Sequence, residues 1–423
     1  MKKIQSVRGM RDIMPIESAV FRSLENALIS SANQFGYSEI RTPILENTDL
    51  FVKSIGDGTD IVEKEMYTFV DSKKNSFSMR PEGTVSCVRA FIENGLDESV
   101  NKIWYCGPFF RHERPQKGRY RQFHQFGAEL IGIETYEADI EIISLINFIW
   151  ESLNINPILK VNTIGDLEDR KKYIGVLDKY LKKYLKEFDD NERNKIKFNP
   201  LRILDSKNEK TQDIIKSAPK ISDYISKESK LHFDSFLNTL NKKNISYIED
   251  HKLVRGLDYY NRTVFEYTDN TKNSQNTVCA GGRYDFLFEK LCNKKKPALG
   301  FAIGIERLLE YLNYEITSKN YPIFYVAVMN EKDYLYSQKI SSLIRKESKN
   351  FIVLTDYKYL NLKSQLKKAN KLSADYCVII GDDESKSNSF QIKNMESGNQ
   401  DKVNIDDIQK YFQKKIKFRK DNE

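Results

Sequence analysis

Cysteine and histidine are scarce in this sequence, and their scarcity excludes several kinds of site. The five cysteines include no Cys-x-x-Cys pair, so neither a disulfide framework nor a zinc site is expected. The four histidines have no spacing typical of metal ligands. We therefore expect a reducing compartment and no metal site built from protein side chains.

A long apolar run is also missing. The N-terminus, from Met1 to Arg8, has no hydrophobic stretch of the kind found in secretion signals, and no later window resembles a membrane span. We expect a cytoplasmic protein that has no membrane partner.

The sequence contains neither a G-x-x-x-x-G-K-S/T loop nor a Rossmann fingerprint. A bound nucleotide would therefore be held by side chains, above all by arginine, whose planar guanidinium pairs with phosphate. The 68 basic and 60 acidic residues leave a formal charge of +8, which weakly favours a polyanionic partner. A solvated Lys-rich surface explains the same charge and is favoured over nucleic-acid binding on charge alone.

Apolar residues at helical spacing predict helices over residues 16–35 and 136–153. Alternation predicts a strand from Tyr37 to Leu45, which Pro43 restricts to a sheet edge. Aromatic and β-branched runs predict further strands, the first two of which form a hairpin with a basic loop. These strands are residues 102–113, 122–132, 263–268 and 277–280.

The remaining chain separates into two regions of different character. Charged residues and leucine at helical spacing predict a helical insertion over 166–245. From Ile323 onward strand and helix alternate, which predicts a small, mostly parallel α/β domain. Its expected elements are strands 323–328, 351–355, 376–380 and 390–395 and helices 332–347, 361–373 and 404–416.

Three segments carry candidate chemistry. On the hairpin, alternation can bring Arg111, Phe123 and Glu129 to one face, together with Glu113 and Gln125. An arginine and an aromatic ring on one face suit a nucleotide, whereas a sheet surface with ordinary salt bridges is the alternative. The other two segments, each with an arginine near glycine, are Arg255-Gly256-Leu257-Asp258-Tyr259-Tyr260 and Ala298-Leu299-Gly300-Phe301-Ala302-Ile303-Gly304-Ile305-Glu306-Arg307.

Together these segments resemble class II aminoacyl-tRNA synthetases. The Pro43 region resembles motif 1, the hairpin motif 2, and the glycine-containing segment with Arg307 motif 3, in the family's order. Arg255 to Tyr260 and Ala280 to Asp285 resemble two segments peculiar to histidyl-tRNA synthetases. The resemblance spans essentially the whole chain.

The resemblance implies an α+β catalytic domain, an antiparallel sheet flanked by helices, with a helical insertion and a C-terminal α/β anticodon-binding domain. The expected boundaries place the catalytic domain at 1–165 and 246–320, the insertion at 166–245 and the anticodon-binding domain at 321–423. It also implies a homodimer formed through the Pro43 segment.

The implied reaction activates L-histidine with ATP and Mg²⁺ and transfers it to the 3′ end of tRNA(His). By resemblance, Arg111 and Arg255 flank the α-phosphate as the catalytic residues, and Arg255 stands in for a catalytic metal. Arg307 would hold the γ-phosphate with help from Arg119, and Phe123 would lie beneath adenine.

The resemblance also assigns residues to histidine and to the RNA. Glu129 and Tyr260 would bind the imidazole, and Glu82, Thr84 and Gln125 would grip the α-ammonium group. The side chains expected to line the histidine pocket are those of Tyr259 and Tyr284, and those expected to read the tRNA acceptor end are Arg114 and Gln116.

Two alternatives remain at this point. A regulatory paralogue of the histidine biosynthetic pathway would share the fold and bind histidine without charging RNA. A non-catalytic module that senses tRNA is the other. The presence of Arg111, Arg255 and Arg307 together with a C-terminal domain argues against both.

Overall fold

The structure, a computed structural model, describes residues 4–56, 58–96, 101–206, 208–269, 277–312 and 321–415. The chain forms two compact units, Met1–Ile316 and Thr317–Glu423. The expected boundary between residues 320 and 321 adjoins 313–320, which lie outside the described residues. The finer division of the first unit at residues 165 and 245 stays a prediction.

The first unit begins with a helix whose N-terminus is set by Pro15, a residue that suits the first helical turn. Its elements up to residue 163 are α1 (Pro15–Gln34), β1 (Ser38–Glu39), β2 (Leu45–Asn47), α2 (Thr48–Ile55), β3 (Thr68–Val70), β4 (Ser76–Met79), α3 (Thr84–Glu93), β5 (Asn101–Phe110), β6 (Gln122–Ile131), α4 (Tyr136–Ser152) and β7 (Ile158–Thr163). The predicted helices and hairpin are therefore present.

The rest of the first unit contains four helices and then returns to the sheet. These elements are α5 (Leu167–Leu181), α6 (Asp190–Phe198), α7 (Glu209–Lys216), α8 (Lys227–Lys242), β8 (Ile248–Glu249), β9 (Asn261–Thr268), β10 (Thr277–Arg283), α9 (Leu287–Cys292), β11 (Ala298–Gly304) and α10 (Ile305–Leu312). No helix in the described ranges is long and apolar enough to cross a membrane.

An eight-stranded sheet, in the order β1-β5-β6-β11-β10-β9-β7-β8, organises this unit. Its central pairs are antiparallel, as predicted, whereas the outer pairs β1–β5 and β7–β8 are parallel. The pairing of β6 with β11 places Glu129 opposite Gly300 and Gln125 opposite Gly304. Segments more than 150 positions apart thus share one sheet face.

The strand predicted from Tyr37 to Leu45 is wrong in extent. Only Ser38–Glu39 forms a strand there, at the predicted sheet edge, and Leu45–Asn47 joins a separate sheet in the order β2-β4-β3. Pro43 lies between them and has no N–H to donate, so it cannot continue a ladder of hydrogen bonds. The chain therefore changes sheets at this point.

Apolar cores lie against both faces of the large sheet. One face packs Phe126 and Leu130 of β6 against α1, α4, α8 and α10. On the other face, Tyr105 and Ile131 meet side chains of α2, α3, α9 and the helical segment. Helix α4 therefore belongs to one of two layers that cover the sheet, and the second layer borders the site described below.

The predicted helical segment at 166–245 is indeed helical. Asp166 and Asp169 form a capping box at the start of α5, and the Ser226 side chain accepts a hydrogen bond from Ser229 N at the start of α8. Its apolar side chains, such as Tyr173 and Phe236, enter the two cores on opposite faces of the sheet. The segment is thus packed into the first compact unit.

The second unit is an α/β domain. Its elements are β12 (Ile323–Val328), α11 (Tyr334–Glu347), β13 (Ile352–Thr355), α12 (Leu362–Lys371), β14 (Tyr376–Ile380), α13 (Asp382–Lys386), β15 (Ser389–Asn394), β16 (Gln400–Asn404) and α14 (Ile408–Lys415). Its five strands have the order β13-β12-β14-β15-β16. The pairs β13–β12 and β12–β14 are parallel, and the pairs β14–β15 and β15–β16 are antiparallel. The expectation of a mostly parallel sheet is therefore wrong for β15 and β16. The connections from β14 to β15 and from β15 to β16 are too short for a parallel crossover, and the polar strand β16 gave no apolar signal.

A buried ion pair joins three elements of the first unit. The Arg283 side chain on β10 is fully buried, and its Nε and Nη2 lie 2.8 and 2.7 Å from Asp139 Oδ2 on α4. His232 of α8 lies 3.2 Å from the same oxygen. Burial raises the pKa of the Asp139 carboxyl, but Arg283 and His232 outweigh it and hold the pKa at about 2.

Replacing Arg283 by methionine should therefore remove the nearest cation from the buried Asp139 carboxylate and leave it with the longer contact to His232. We expect the free energy of unfolding to fall by about 3–5 kcal/mol, measured by urea denaturation with tryptophan fluorescence. Both tryptophans, Trp104 and Trp150, lie in the core beside α4. The control Arg193→Met breaks an exposed ion pair with Asp190 and should lower the free energy of unfolding by at most about 1 kcal/mol. Equal losses of unfolding free energy in the two variants would contradict the prediction.

Candidate active site

A cavity of about 630 Å³ opens on one face of the large sheet. Strands β5, β6, β10 and β11 contribute to its floor. Its walls come from the loop between β5 and β6, the segment before β9, and the start of α10. Its residues thus come from separate parts of the sequence, as expected of a site assembled by folding.

Four guanidinium groups line this cavity, those of Arg111, Arg119, Arg255 and Arg307. Arg111 is held by a 2.8 Å hydrogen bond from Nε to the Pro81 carbonyl, and its Cζ lies 5.3 Å from the Phe123 ring centroid. Arg307 donates from Nη1 to the Thr277 carbonyl at 3.2 Å. Arg111 and Arg307 are therefore oriented by backbone carbonyls.

Few carboxylates balance these four cations. Glu113 lies 3.2 Å from Arg119 and 3.9 Å from Arg111, and Glu266 lies 3.8 Å from Arg255. Burial lowers the pKa of Arg307, and the neighbouring Arg119 lowers it further. A group of cations that disfavour one another in this way gains stability when an anion binds among them.

Several polar atoms of the cavity lack a hydrogen-bond partner among the described residues, and a ligand could supply one. Within the described part of the chain, Arg119 Nε, Arg255 Nε and Gln125 Oε1 are buried without a hydrogen-bond partner. Because an unpaired buried polar atom costs free energy, such atoms mark places where a bound molecule can supply the partner. They come from the floor of the cavity, at Gln125, and from two of its walls, at Arg119 and Arg255.

Thr84, at the start of α3, links two buried carboxylates. Its backbone N–H donates to Glu82 Oε2 at 3.0 Å, and its hydroxyl donates to Glu129 Oε1 at 2.7 Å. Tyr259 donates its hydroxyl to Glu82 at 3.1 Å, and Tyr284 donates to Glu129 at 2.5 Å. The five side chains form one hydrogen-bonded group beside the arginines.

Two glycines make room for this group. A Cβ on Gly300 would stand 1.7 Å from Glu129 Oε2, so only glycine leaves space for the carboxylate opposite it on β6. A Cβ on Gly127 would lie 2.3 Å from the Tyr105 ring. The close approach of neighbouring strands therefore depends on residues that lack a side chain.

Burial changes the ionisation of both carboxyls. It raises the pKa of Glu129 to about 8, although hydrogen bonds from Tyr284 and Thr84 oppose the shift. Burial also raises the pKa of Glu82, against hydrogen bonds from Val85 N and Tyr259. These two acids therefore hold protons more tightly than ordinary glutamates. A ligand that brings hydrogen-bond donors or a positive charge would favour their ionised forms and so bind well to them.

The structure brings together most of the site residues predicted from the sequence. Those that line the cavity are Glu82, Thr84, Arg111, Arg119, Phe123, Gln125, Arg255, Tyr259, Tyr260 and Arg307. Glu129 and Tyr284 are buried next to them through Thr84. Arg114 and Gln116, in contrast, are exposed on the loop and do not belong to the described lining.

Sequence reasoning missed several lining residues. Tyr105 of β5 faces the cavity between Gly83 and Gly127. Strand alternation would have revealed this residue, because it lies opposite Gly127 of β6. At the far end of the cavity lie Lys160 and Lys252, the latter donating to Gln212 Oε1 at 2.9 Å. No local pattern marks these two lysines.

The protein's own side chains offer few ligands to a metal ion. Among the described residues, no group of three or more histidine, cysteine, aspartate or glutamate side chains could hold one. The cavity carboxylates Glu113 and Glu266 already face arginines. This donor set fits a cation that enters together with a phosphate ligand, since such an ion takes most of its oxygens from phosphate and water.

Comparisons with known proteins agree over nearly the whole chain. The family model described as histidyl-tRNA synthetase matches residues 9–165 and 170–308. A histidine–tRNA ligase of Marinomonas sp. (strain MWYL1) is 44% identical over 98% of this chain and 100% of its own. The apo histidyl-tRNA synthetase of S. aureus has a TM-score of 0.80 and 34% identity, covering 97% of this chain and 100% of that one.

The chain belongs to the histidyl-tRNA synthetase family. It is thus an aminoacyl-tRNA synthetase with the class II catalytic fold, as the resemblance predicted.

The second unit separates this chain from the regulatory alternative. An anticodon-binding domain model matches residues 324–415, so the chain carries both parts of a synthetase. A Bacillus halodurans C structure, described as an ATP phosphoribosyltransferase regulatory subunit/histidyl-tRNA synthetase, has a TM-score of 0.62 at 20% identity, covering 85% of this chain and 95% of that one. That likeness concerns the fold alone.

The raised pKa of Glu129 predicts a pH-dependent stability. The Glu129 carboxyl keeps its proton up to about pH 8 in the folded state, whereas in the unfolded chain it loses the proton near pH 4.5. The stability that this difference contributes is fully present below pH 4.5 and is lost as the pH rises through about 8. We expect urea unfolding to show that wild type loses stability relative to Glu129→Gln between pH 5 and pH 8. A constant difference between them across this interval would contradict the assignment, and Glu93→Gln, exposed on α3, should track wild type.

Proposed function

We propose that this chain activates L-histidine with ATP to histidyl-adenylate and then transfers the histidyl group to the 3′ end of tRNA(His). The observation that carries the proposal is the meeting of four arginines from three segments in one cavity, next to the linked carboxyls Glu82 and Glu129. Cations suit a triphosphate, and buried acceptors suit an amino acid that carries an ammonium group and an imidazole.

In the first step a carboxylate oxygen of histidine bonds to the α-phosphorus while the bond to the β-phosphate breaks and pyrophosphate leaves. Negative charge on the α-phosphate oxygens has to be stabilised by groups already in place. We assign this task to Arg111, which follows β5, and to Arg255, which precedes β9. These two strands stand on either side of β6, β11 and β10 in the sheet, and both arginine side chains line the cavity. Their orientation by neighbouring groups favours preorganisation.

The remaining phosphates are assigned to Arg119 and Arg307, and the adenine ring to Phe123. Arg307 carries a pKa lowered by burial and by Arg119, which γ-phosphate binding would relieve. We propose that ATP enters as its magnesium complex, because Glu113 and Glu266 face arginines and leave the ion to phosphate oxygens and water.

Histidine selection is assigned to the buried hydrogen-bonded group. Glu129 and Tyr260 would bind the two imidazole nitrogens, since a carboxylate has acceptor sites beyond those used by Thr84 and Tyr284. Glu82, with Thr84 and Gln125, would hold the α-ammonium group, whose charge favours the ionised form of Glu82. An apolar analogue would leave these groups unpaired and would be rejected.

For the tRNA, the exposed positions of Arg114 and Gln116 support contact with the acceptor end. The second unit would read the anticodon, and its helix α12 has lysines at 363, 367, 368 and 371. Of these, Lys368 is paired with Asp356 at 2.7 Å, so the others are the better candidates for phosphate contacts.

All five cysteines are free, which supports the expected reducing, cytoplasmic location.

We also propose a homodimer. Next to Pro43, the small β2-β4-β3 sheet exposes apolar side chains that a monomer would leave in water, namely Ile44, Leu45, Phe69 and Val70. Exposed apolar side chains grouped on one small sheet are typical of a protein interface. A two-fold dimer would cover the same patch on both copies.

The activity is tested by histidine-dependent exchange of radiolabelled pyrophosphate into ATP. Wild type should catalyse the exchange, and Arg255→Ala should lower its rate by about 10²–10³-fold, because a preorganised donor to the transition-state charge is lost. Arg193→Ala, on the exposed face of α6, should leave the rate unchanged. Absence of exchange in wild type would favour the regulatory or RNA-sensing alternative.

The dimer is tested by gel filtration with light scattering. Phe69→Asp places a charge in the exposed apolar patch, so the variant should elute as a monomer at concentrations where wild type is dimeric. Leu335→Asp, at a more exposed leucine of α11 in the second unit, serves as the matched control and should leave the assembly intact. A monomeric wild-type chain would contradict the proposal.

A further inference from the structure

The residues before α1 form a tight turn that contacts the loop between β5 and β6. Met10 N donates to the Val7 carbonyl at 2.8 Å, and Gly9 has a φ of +84°. A positive φ at the third residue of such a turn is typical of type II, which favours glycine there. We refer to residues 7–11 as the N-terminal clasp.

The clasp is joined to the loop through Arg121. The backbone N–H of Arg121 donates to the Gly9 carbonyl at 2.7 Å, and a Cβ on Gly9 would lie 2.9 Å from the Arg121 side chain and from Pro115. Arg121 reaches the catalytic side of the loop as well: its Nε donates to the Glu113 carbonyl at 3.2 Å, and its own carbonyl accepts from Arg111 N at 2.9 Å.

A second contact involves Arg11. Its guanidinium carbon lies 4.8 Å from the ring centroid of Tyr120, a residue that lines the cavity. Arg11 is itself paired with Glu17 of α1, at 2.6 Å between Nη2 and Oε1. The cation therefore connects Tyr120 on the loop to the first helix of the unit.

The loop needs such support from outside. Between Phe110 and Gln122 its described backbone pairing consists of the bond from Arg111 N to the Arg121 carbonyl and one isolated bridge, Gln116 with Arg119. Arg119 points into the cavity, where its Nη1 lies 3.2 Å from Glu113. Without external contacts a loop of this kind samples many conformations, and ordering it at each turnover lowers the affinity for the ligand.

We propose that the N-terminal clasp positions the loop for ATP, with Gly9 and Arg11 as positioning residues. The proposal rests on the proposed function, in that Arg111 and Arg119 are taken as phosphate-binding residues. The clasp contacts the loop at Pro115, Tyr120 and Arg121, and none of these contacts uses the guanidinium groups of Arg111 and Arg119. It thereby fixes the separation of the two arginines before ATP arrives.

Two variants test the proposal in the full-length chain. Gly9→Ala adds a Cβ where the backbone is left-handed and Arg121 already lies in contact, and Arg11→Ala removes the cation over Tyr120. In pyrophosphate exchange, each should raise the KM for ATP by about 5- to 10-fold while the KM for histidine changes by less than about 2-fold. A general structural defect would change both constants together.

Limited trypsin digestion gives an independent readout. The loop contains cleavable bonds after Lys117, Arg119 and Arg121, whereas Arg114 is followed by proline. Cleavage within the loop should be about 5- to 10-fold faster in both variants, because local opening is less costly, and the melting temperature should stay close to that of wild type. Arg11→Lys keeps a cation over the ring and should restore most of the protection.

Arg22→Ala is the matched control. It removes an ion pair with Glu25 on the same helix, with 73% of the Arg22 side chain exposed and no contact to the loop among the described residues. If Gly9→Ala and Arg11→Ala resemble this control in both the KM for ATP and the loop cleavage, the proposal is wrong. It is equally wrong if both KM values and the melting temperature change together. Should wild type catalyse no exchange, the proposed function fails, and the digestion still decides whether the clasp holds the loop.

Discussion

Glu129 has only 1% of its surface exposed, and several distant segments of the first unit meet around its carboxyl. A buried carboxyl is costly unless hydrogen-bond donors surround it. Thr84 and Tyr284 supply those donors, and Gly300 leaves the space that the oxygen occupies. The start of α3, the end of β10 and the middle of β11 must therefore meet at one point on β6.

The same strand pairings decide where the cations lie. Once β6 is paired with β5 and β11, the ends of these strands bring the loop with Arg119 and the helix with Arg307 to one side of the sheet. Arg255 reaches the cavity from the segment before β9. Phosphate charge and histidine donors would then complete a site whose polar atoms are only partly satisfied by the protein itself.

Much of the fold could be predicted from local patterns. Apolar periodicity located α1, α4, the β5–β6 hairpin and the first three strands of the second unit, since each element carries its own buried face. The strand at Tyr37–Leu45 was overextended, because alternation alone does not reveal that Pro43 ends the ladder. Strand β16 was missed, since its stability comes from pairing with β15 and its residues are mostly polar.

For the site, the sequence by itself determined the residue types and their motifs, and hence the family and the set of arginines and carboxyls. Only the tertiary structure decided their partners: Thr84 meets a residue 45 positions away, and Tyr284 one 155 positions away. It also decided the place of Tyr105 between two glycines and the contact of the N-terminal clasp with the loop. The physical reason is that spacing along a chain encodes which face a residue occupies, whereas burial, strand register and close packing determine which distant residue lies opposite it.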